Sequence, residues 1–202
     1  MTSMQKIAMV VEDELSGAVM RKLIAATGRG FVIDRIINER GNSQIKIGMQ
    51  QKYRSSSYVL PHVVLTDLDR YPCPPALLNN WNVTDLPPQL LFRIAIREVE
   101  AWLLADREGI AEFLHVAVNK IPHAPEAEDD PKRTLINLAR RSRKSRLAQE
   151  LVPAPGSSAS IGPLYNARLT EFVHDKWNVD QAKLLADSLS RTLNRLSIFL
   201  PD

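Results

Sequence analysis

The sequence predicts an α/β fold: a mostly parallel four-stranded sheet flanked by helices, followed by an α-rich C-terminal extension. Three observations predict it. Compact apolar runs alternate with helical stripes through the first hundred residues. Each interval between runs holds a crossover helix, which parallel strands need to return to the same edge. Beyond residue 106 the strand-like runs stop, and only helical stripes and loops remain.

Lys6 to Val11 is a compact apolar run and reads as a buried strand. Glu14 to Ala26 carries Leu15, Ala18, Val19, Leu23 and Ile24 on one helical stripe, ended by Gly28 and Gly30. Phe31 to Ile37 is a second strand. Ser43 to Arg54 is a helix, and His62 to Thr66 is a third strand running into Asp67-Leu68-Asp69. Tyr71 to Pro75 breaks the chain before a short helix from Ala76 to Trp81. Leu90 to Ile96 is a fourth strand, and Arg97 to Ala105 is its following helix. Five further helices are expected, over Ile110 to Val118, Lys132 to Arg146, Pro163 to Trp177, Val179 to Leu185 and Ser188 to Phe199, with Pro153 to Ser160 as a loop. The expected division is residues 1–106 as the α/β domain and 107–202 as a helical extension packed on it.

Composition narrows the function classes. One cysteine, Cys73, rules out an internal disulfide framework and a cysteine-built zinc site, and suits a reducing cytoplasm. The four histidines lack metal-pair spacing. There is no export signal, and the apolar runs are too short to span a bilayer, so the cytoplasm is the expected compartment, with no membrane partner. The sequence also lacks a P-loop, a dinucleotide glycine fingerprint and a nucleophile elbow.

Ligands of open parallel sheets bind outside the carboxyl ends of the strands. Here Glu12, Asp13 and Glu14 follow strand one, Asp67 and Asp69 follow strand three, and Arg97, Glu98 and Glu100 follow strand four. Continued strand geometry would turn the i and i+2 carboxylates of Asp67 and Asp69 the same way. Clustered carboxylates repel unless a cation or a shared proton intervenes. With Glu12 they form a hard oxygen set suited to Mg²⁺ or Mn²⁺. Asp13 and Glu14 suit helix capping instead, and Glu98 suits a helix start. Asp106 is either a further ligand or the cap of the next helix. Lys132 is either a surface lysine or a group that neutralises charge on a phosphate. The net charge of +3 hides segregation: seven basic residues and no acid lie between Lys132 and Arg146, and Arg140, Arg141 and Arg143 with Arg97 are candidates for phosphate contact.

Val10-Val11-Glu12 leading into a helix, followed by Leu65-Thr66-Asp67-Leu68-Asp69, resembles a TOPRIM domain, the metal-binding module of topoisomerases, primases and OLD-type nucleases. The resemblance covers about residues 5 to 106. The block from Glu100 to Asp106, the Pro131-Lys132 pair, Gly162-Pro163 and Ser188-Leu189 are similar to a group of small bacterial TOPRIM-like proteins related to those nucleases. Many TOPRIM proteins have glycine directly after the first glutamate, where this chain has Asp13. The resemblance implies a metal-dependent phosphodiester hydrolase acting on DNA or RNA. Glu12, Asp67, Asp69 and Glu100 would hold the metal, and Lys132 would serve catalysis. It also implies an ATPase partner in a phage-defence system and leaves a homo-oligomer open. Two other readings fit the same residues: a non-catalytic adaptor of a separate ATPase, and a nucleotide phosphotransfer enzyme.

Overall fold

The computed structural model describes residues 4–199. The first half alternates as expected: β1 (Gln5–Val11), α1 (Glu14–Ala26), β2 (Phe31–Asn38), α2 (Asn42–Gln51), α3 (Tyr53–Ser56), β3 (His62–Asp67), α4 (Pro74–Trp81), β4 (Leu90–Ala95) and α5 (Val99–Ala105). The helices α6 (Arg107–Leu114), α7 (Pro131–Ala139), α8 (Ser145–Leu151), α9 (Tyr165–Asp175), α10 (Val179–Ala182) and α11 (Asp187–Ser197) follow. The four strands form one all-parallel sheet in the order β2-β1-β3-β4. From β1 the chain winds first to one side, to β2, and then to the other, to β3 and β4. The crevice between β1 and β3 is therefore the topological switch point, where ligands of such sheets bind.

Helices cover both faces. Ile7, Met9, Val11, Val63, Leu65 and Leu91 bury one face under α1, α5 and the C-terminal helices, in one continuous core that includes Leu135, Leu169, Phe172 and Leu189. Val10, Val64 and Phe92 bury the other face with Ile45, Tyr53, Leu77 and Trp81. The free edge of β4 is closed by α11: Arg93 Nε donates to Thr192 Oγ1 at 3.3 Å, and the Ile96 amide donates to Ser188 Oγ at 3.1 Å.

Several element ends differ from expectation, such as α10, which ends at Ala182 rather than Leu185, and three differences have a clear physical cause. The helix expected over Ser43 to Arg54 breaks at Lys52, whose backbone leaves the helical region. Tyr53 turns into the core there and lies against Gly48, where a Cβ would meet its ring at 2.2 Å. The helix from Ile110 begins earlier, at Arg107, because Asp106 caps it, and it ends where His115 turns left-handed. The single basic helix expected over Lys132 to Arg146 is two helices joined by a bend at residues 140–144. The apolar stripe of α7 ends at Ala139, and the next apolar side chain is Leu147, so the interval buries nothing. Arg140 and Lys144, four apart, would repel on one helix face. The Ser142 hydroxyl takes the Lys144 amide at 3.1 Å in place of a helical partner.

Candidate functional site

The carboxyl ends of β1, β3 and β4 converge as the acidic sequence pattern requires. Glu12 leaves β1 at the switch point. Its Oε1 accepts from Thr66 Oγ1 at 2.5 Å and from the Asp67 amide at 2.7 Å, which pins it across the crevice to the end of β3. Asp67 is the last residue of β3, and its Oδ1 accepts from the Val99 amide at the start of α5 at 3.0 Å. Asp13 is extended and caps α1 through the Ser16 amide at 2.8 Å, so that position needs no glycine.

Asp69 departs from the expectation that strand geometry continues. Its φ of 51° is left-handed, so it and Asp67 do not share a strand face. Its carboxylate instead accepts from Asn42 Nδ2 at the start of α2. Arg97, after β4, is also left-handed at φ 61°. The two residues hold each other: the Asp69 amide donates to the Arg97 carbonyl at 2.8 Å, and Arg97 Nη1 donates to the Asp69 carbonyl at 3.3 Å. A left-handed arginine is strained by about 1–2 kcal/mol. Arg97→Gly releases that strain while losing the guanidinium bond, whereas Arg97→Ala loses the bond and keeps the strain. Thermal unfolding is therefore expected to place the glycine variant about 2–4 °C above the alanine variant, the reverse of their usual order. Equal midpoints would show that no strain is held there.

Lys132 is brought to the same edge by α7. Pro131 opens that helix, the Asp130 carboxylate accepts the Arg133 amide at 2.7 Å, and Glu98 Oε2 accepts the Lys132 amide at 2.9 Å. Glu98 thus caps α7 rather than its own helix. The Lys132 ammonium then lies 3.6 Å from Glu98 Oε1 and 3.5 Å from Glu100 Oε1. Glu100 is 2% exposed because α5 is buried on every side. Tyr165, from α9, donates its hydroxyl to Glu100 Oε1 at 3.1 Å, and Glu100 Oε2 has no hydrogen-bond partner among the described residues.

The electrostatics follow from this crowding. Burial pushes Glu12 up, opposed by the hydrogen bonds from Thr66 and Asp67 and aided by the charges of Asp69 and Asp13. Burial raises Asp67 well above the usual carboxylate range, and the charges of Glu12 and Glu100 add to it. Burial also raises Asp69, against the pull of Lys132 and Asn42. Glu100 is pushed up to about 7, by burial first, with Lys132 opposing. For Lys132 burial favours the neutral amine, but Glu100, Glu98, Asp67 and Asp13 outweigh it and hold the ammonium charged. Among the described residues no salt bridge reaches Glu12, Asp67 or Asp69. Nor do three His, Cys, Asp or Glu side chains among them stand together as a set able to hold a metal ion.

Glu12, Asp67, Asp69, Arg97, Glu100 and Lys132 therefore share one edge. The basic run divides. Arg140 lines a cavity with Lys132, whereas Arg141 and Arg143 are exposed on the bend outside that lining. Asp106 is a cap: its Oδ1 accepts the Gly109 amide and its Oδ2 the Asn178 amide, at 3.1 and 2.8 Å. Thr66, Asn42, Glu98 and Tyr165 are partners that sequence reasoning did not single out for the site.

Fold and edge define a doubly wound α/β protein with a carboxylate-rich ligand edge at its switch point and one lysine set among the acids. Comparison of the chain with protein-family models, with curated proteins and with solved structures finds no match. No helix among the described residues is long and apolar enough to cross a membrane. What the edge can do is read from its own chemistry.

Proposed function

We propose that the chain is a TOPRIM-like, Mg²⁺- or Mn²⁺-dependent phosphodiester hydrolase that acts on nucleic acid in the cytoplasm. The observation that carries this reading is the carboxyls gathered at the switch point, buried Asp67 with half-buried Glu12 and Asp69, to which no cationic side chain among the described residues is salt-bridged. Like charges brought to one edge favour a cation beside them. The donors fit a hard divalent ion: all are oxygens, and Glu100 adds a buried oxygen with no partner. Mg²⁺ keeps several waters and takes one or two carboxylates together with substrate phosphate oxygens, so a ready-made cage of three is not required.

Glu12 and Asp67 would hold the ion, with Asp69 beside them. When bound, it would polarise the phosphate and acidify an attacking water. Glu100 titrates near neutral pH, which suits a residue that orients water or moves its proton. Lys132 and Arg97 would meet the negative charge that grows on the phosphate.

One observation favours a second reading, an adaptor for an ATPase supplied by another chain. Lys132 already neutralises part of the edge through Glu98 and Glu100. Calorimetric titration with Mg²⁺ and Mn²⁺, followed by a panel of DNA, RNA and nucleotides, separates the two. Saturable metal binding with cleavage of a polynucleotide, abolished by chelator, is the expected result. No metal binding and no cleavage would leave the adaptor reading, and turnover of nucleotides alone would point to phosphotransfer.

A further inference from the structure

Lys132 belongs to two places at once. Its ammonium pairs with Glu98 and Glu100 at the acidic edge, and it also lines a cavity of about 730 Å³ between α7 and the loop of residues 152–160. One wall of this cavity is a single helix face. Lys132, Arg133, Ile136, Asn137 and Arg140 recur at the i, i+1, i+4, i+5 and i+8 positions that align on a helix. Eight residues of helix rise about 12 Å, enough to run beside two or three consecutive phosphates of one strand.

The charge along that face is one-sided. Lys132, Arg133 and Arg140 are cationic, and Asp130, the one acid of the lining among the described residues, is committed to the Arg133 amide. Asn137 Oδ1 accepts from Arg140 Nη1 at 2.9 Å, which fixes the guanidinium on this face. The facing loop offers Ala154, Gly156, Ser157, Ala159 and Ser160, small groups that let a chain approach closely. No aromatic side chain among the described residues lines the cavity, so bases find no stacking platform there and contact falls on the sugar-phosphate backbone.

Size selects the form of the strand. A cavity of 730 Å³ lies within the range of about 300–1,000 Å³ that encloses one small organic ligand, a nucleotide or two. A duplex, with a major groove alone about 12 Å wide, is not enclosed by it.

We infer that this cavity takes the backbone of single-stranded nucleic acid next to the acidic edge, without regard to base sequence, and that Arg133 and Arg140 are its phosphate-positioning residues. The inference rests on the phosphodiester reading above and names its substrate class. The test is fluorescence anisotropy of a labelled single strand, and of a duplex of equal length, titrated with full-length protein in chelator at several salt concentrations. The expected result is tighter binding of the single strand. The double variant R133A/R140A, checked for an unchanged circular-dichroism spectrum, is expected to bind at least about tenfold more weakly. Two lost phosphate contacts should also flatten the slope of log K against log salt by about 1.4. Preference for the duplex, or a double variant with wild-type affinity and slope, overturns the inference. Cleavage assayed in parallel with Mg²⁺ keeps the two questions apart. A protein that binds single strands as described but never cleaves them refutes the phosphodiester reading alone. A protein whose cleavage and single-strand KM are untouched in R133A/R140A refutes the cavity alone.

Discussion

Asp67→Asn is expected to lose metal-dependent cleavage while the protein melts higher than wild type. Asp67 is the most perturbed acid at the switch point. It is 9% exposed, burial drives its carboxyl toward the neutral form, and Glu12 and Glu100 add like charge. Asparagine keeps an Oδ1 that can accept from the Val99 amide, so the bond joining β3 to α5 survives. What disappears is an acid with no ion pair among the described residues, which the folded protein holds only at the cost of a buried charge or a bound proton. Removing a poorly compensated buried charge is expected to add about 1 kcal/mol or more of stability, or about 2–4 °C in Tm for a chain of this length. Loss of a ligand that acts on the reacting phosphate is expected to lower the cleavage rate by at least about 100-fold. Cleavage assays and thermal unfolding without metal measure the two effects separately. A variant that loses both activity and stability would make Asp67 a structural residue. One that retains activity would remove it from the proposed metal set.

The opposed signs expected of Asp67→Asn also explain which parts of the site were legible in the sequence. An acid directly after an apolar strand is out of place by composition, and Glu12, Asp67 and Asp69 could be found that way. The fold class was legible for the same reason: alternation of apolar runs and helical stripes is a local signal. Partners contributed from far along the chain were not. Thr66 reaches Glu12 across 54 positions, Asn42 reaches Asp69 across 27, and Tyr165 reaches Glu100 across 65. Periodicity carries no record of such meetings. Glu98 was legible as a helix-start acid, but not that the helix it caps is α7. The i, i+2 argument for Asp67 and Asp69 failed because the strand ends between them, and the left-handed backbone at Asp69 is a tertiary outcome shared with Arg97. The bend after Ala139 was written in the sequence as a gap in the apolar stripe, beneath an uninterrupted run of charge.

Stability without metal is expected to fall as pH rises from about 5 to about 8, and Mg²⁺ is expected to reverse the fall. Glu100 is one source of the effect. Its carboxyl titrates at about 7 in the folded protein against 4.5 when unperturbed. Below 4.5 both states hold the proton, and Glu100 contributes no pH dependence. Between 4.5 and 7 the unfolded chain releases the proton while the folded chain keeps it, so rising pH favours unfolding. Above 7 the penalty is complete, about 3 kcal/mol, or roughly 6–12 °C in Tm. Glu12, Asp67 and Asp69 are raised as well and act in the same direction. His62 acts in the opposite one. Burial lowers its imidazole, so stability is gained as pH rises from the folded value toward 6.5. The informative quantity is therefore the difference between wild type and Glu100→Gln, in which the His62 contribution cancels. That difference should be small at pH 4.5 and should grow in favour of the variant up to about pH 7.5. A metal ion needs the ionised carboxylates, so protons compete with it. At one hundred times its dissociation constant it stabilises by about 2.7 kcal/mol. The Mg²⁺-induced rise in Tm should thus be larger at pH 8 than at pH 5.5, and larger in wild type than in Glu100→Gln. A metal response that does not depend on pH, or is equal in the two proteins, would take Glu100 out of the metal's surroundings and leave its raised carboxyl to Lys132 and Tyr165 alone.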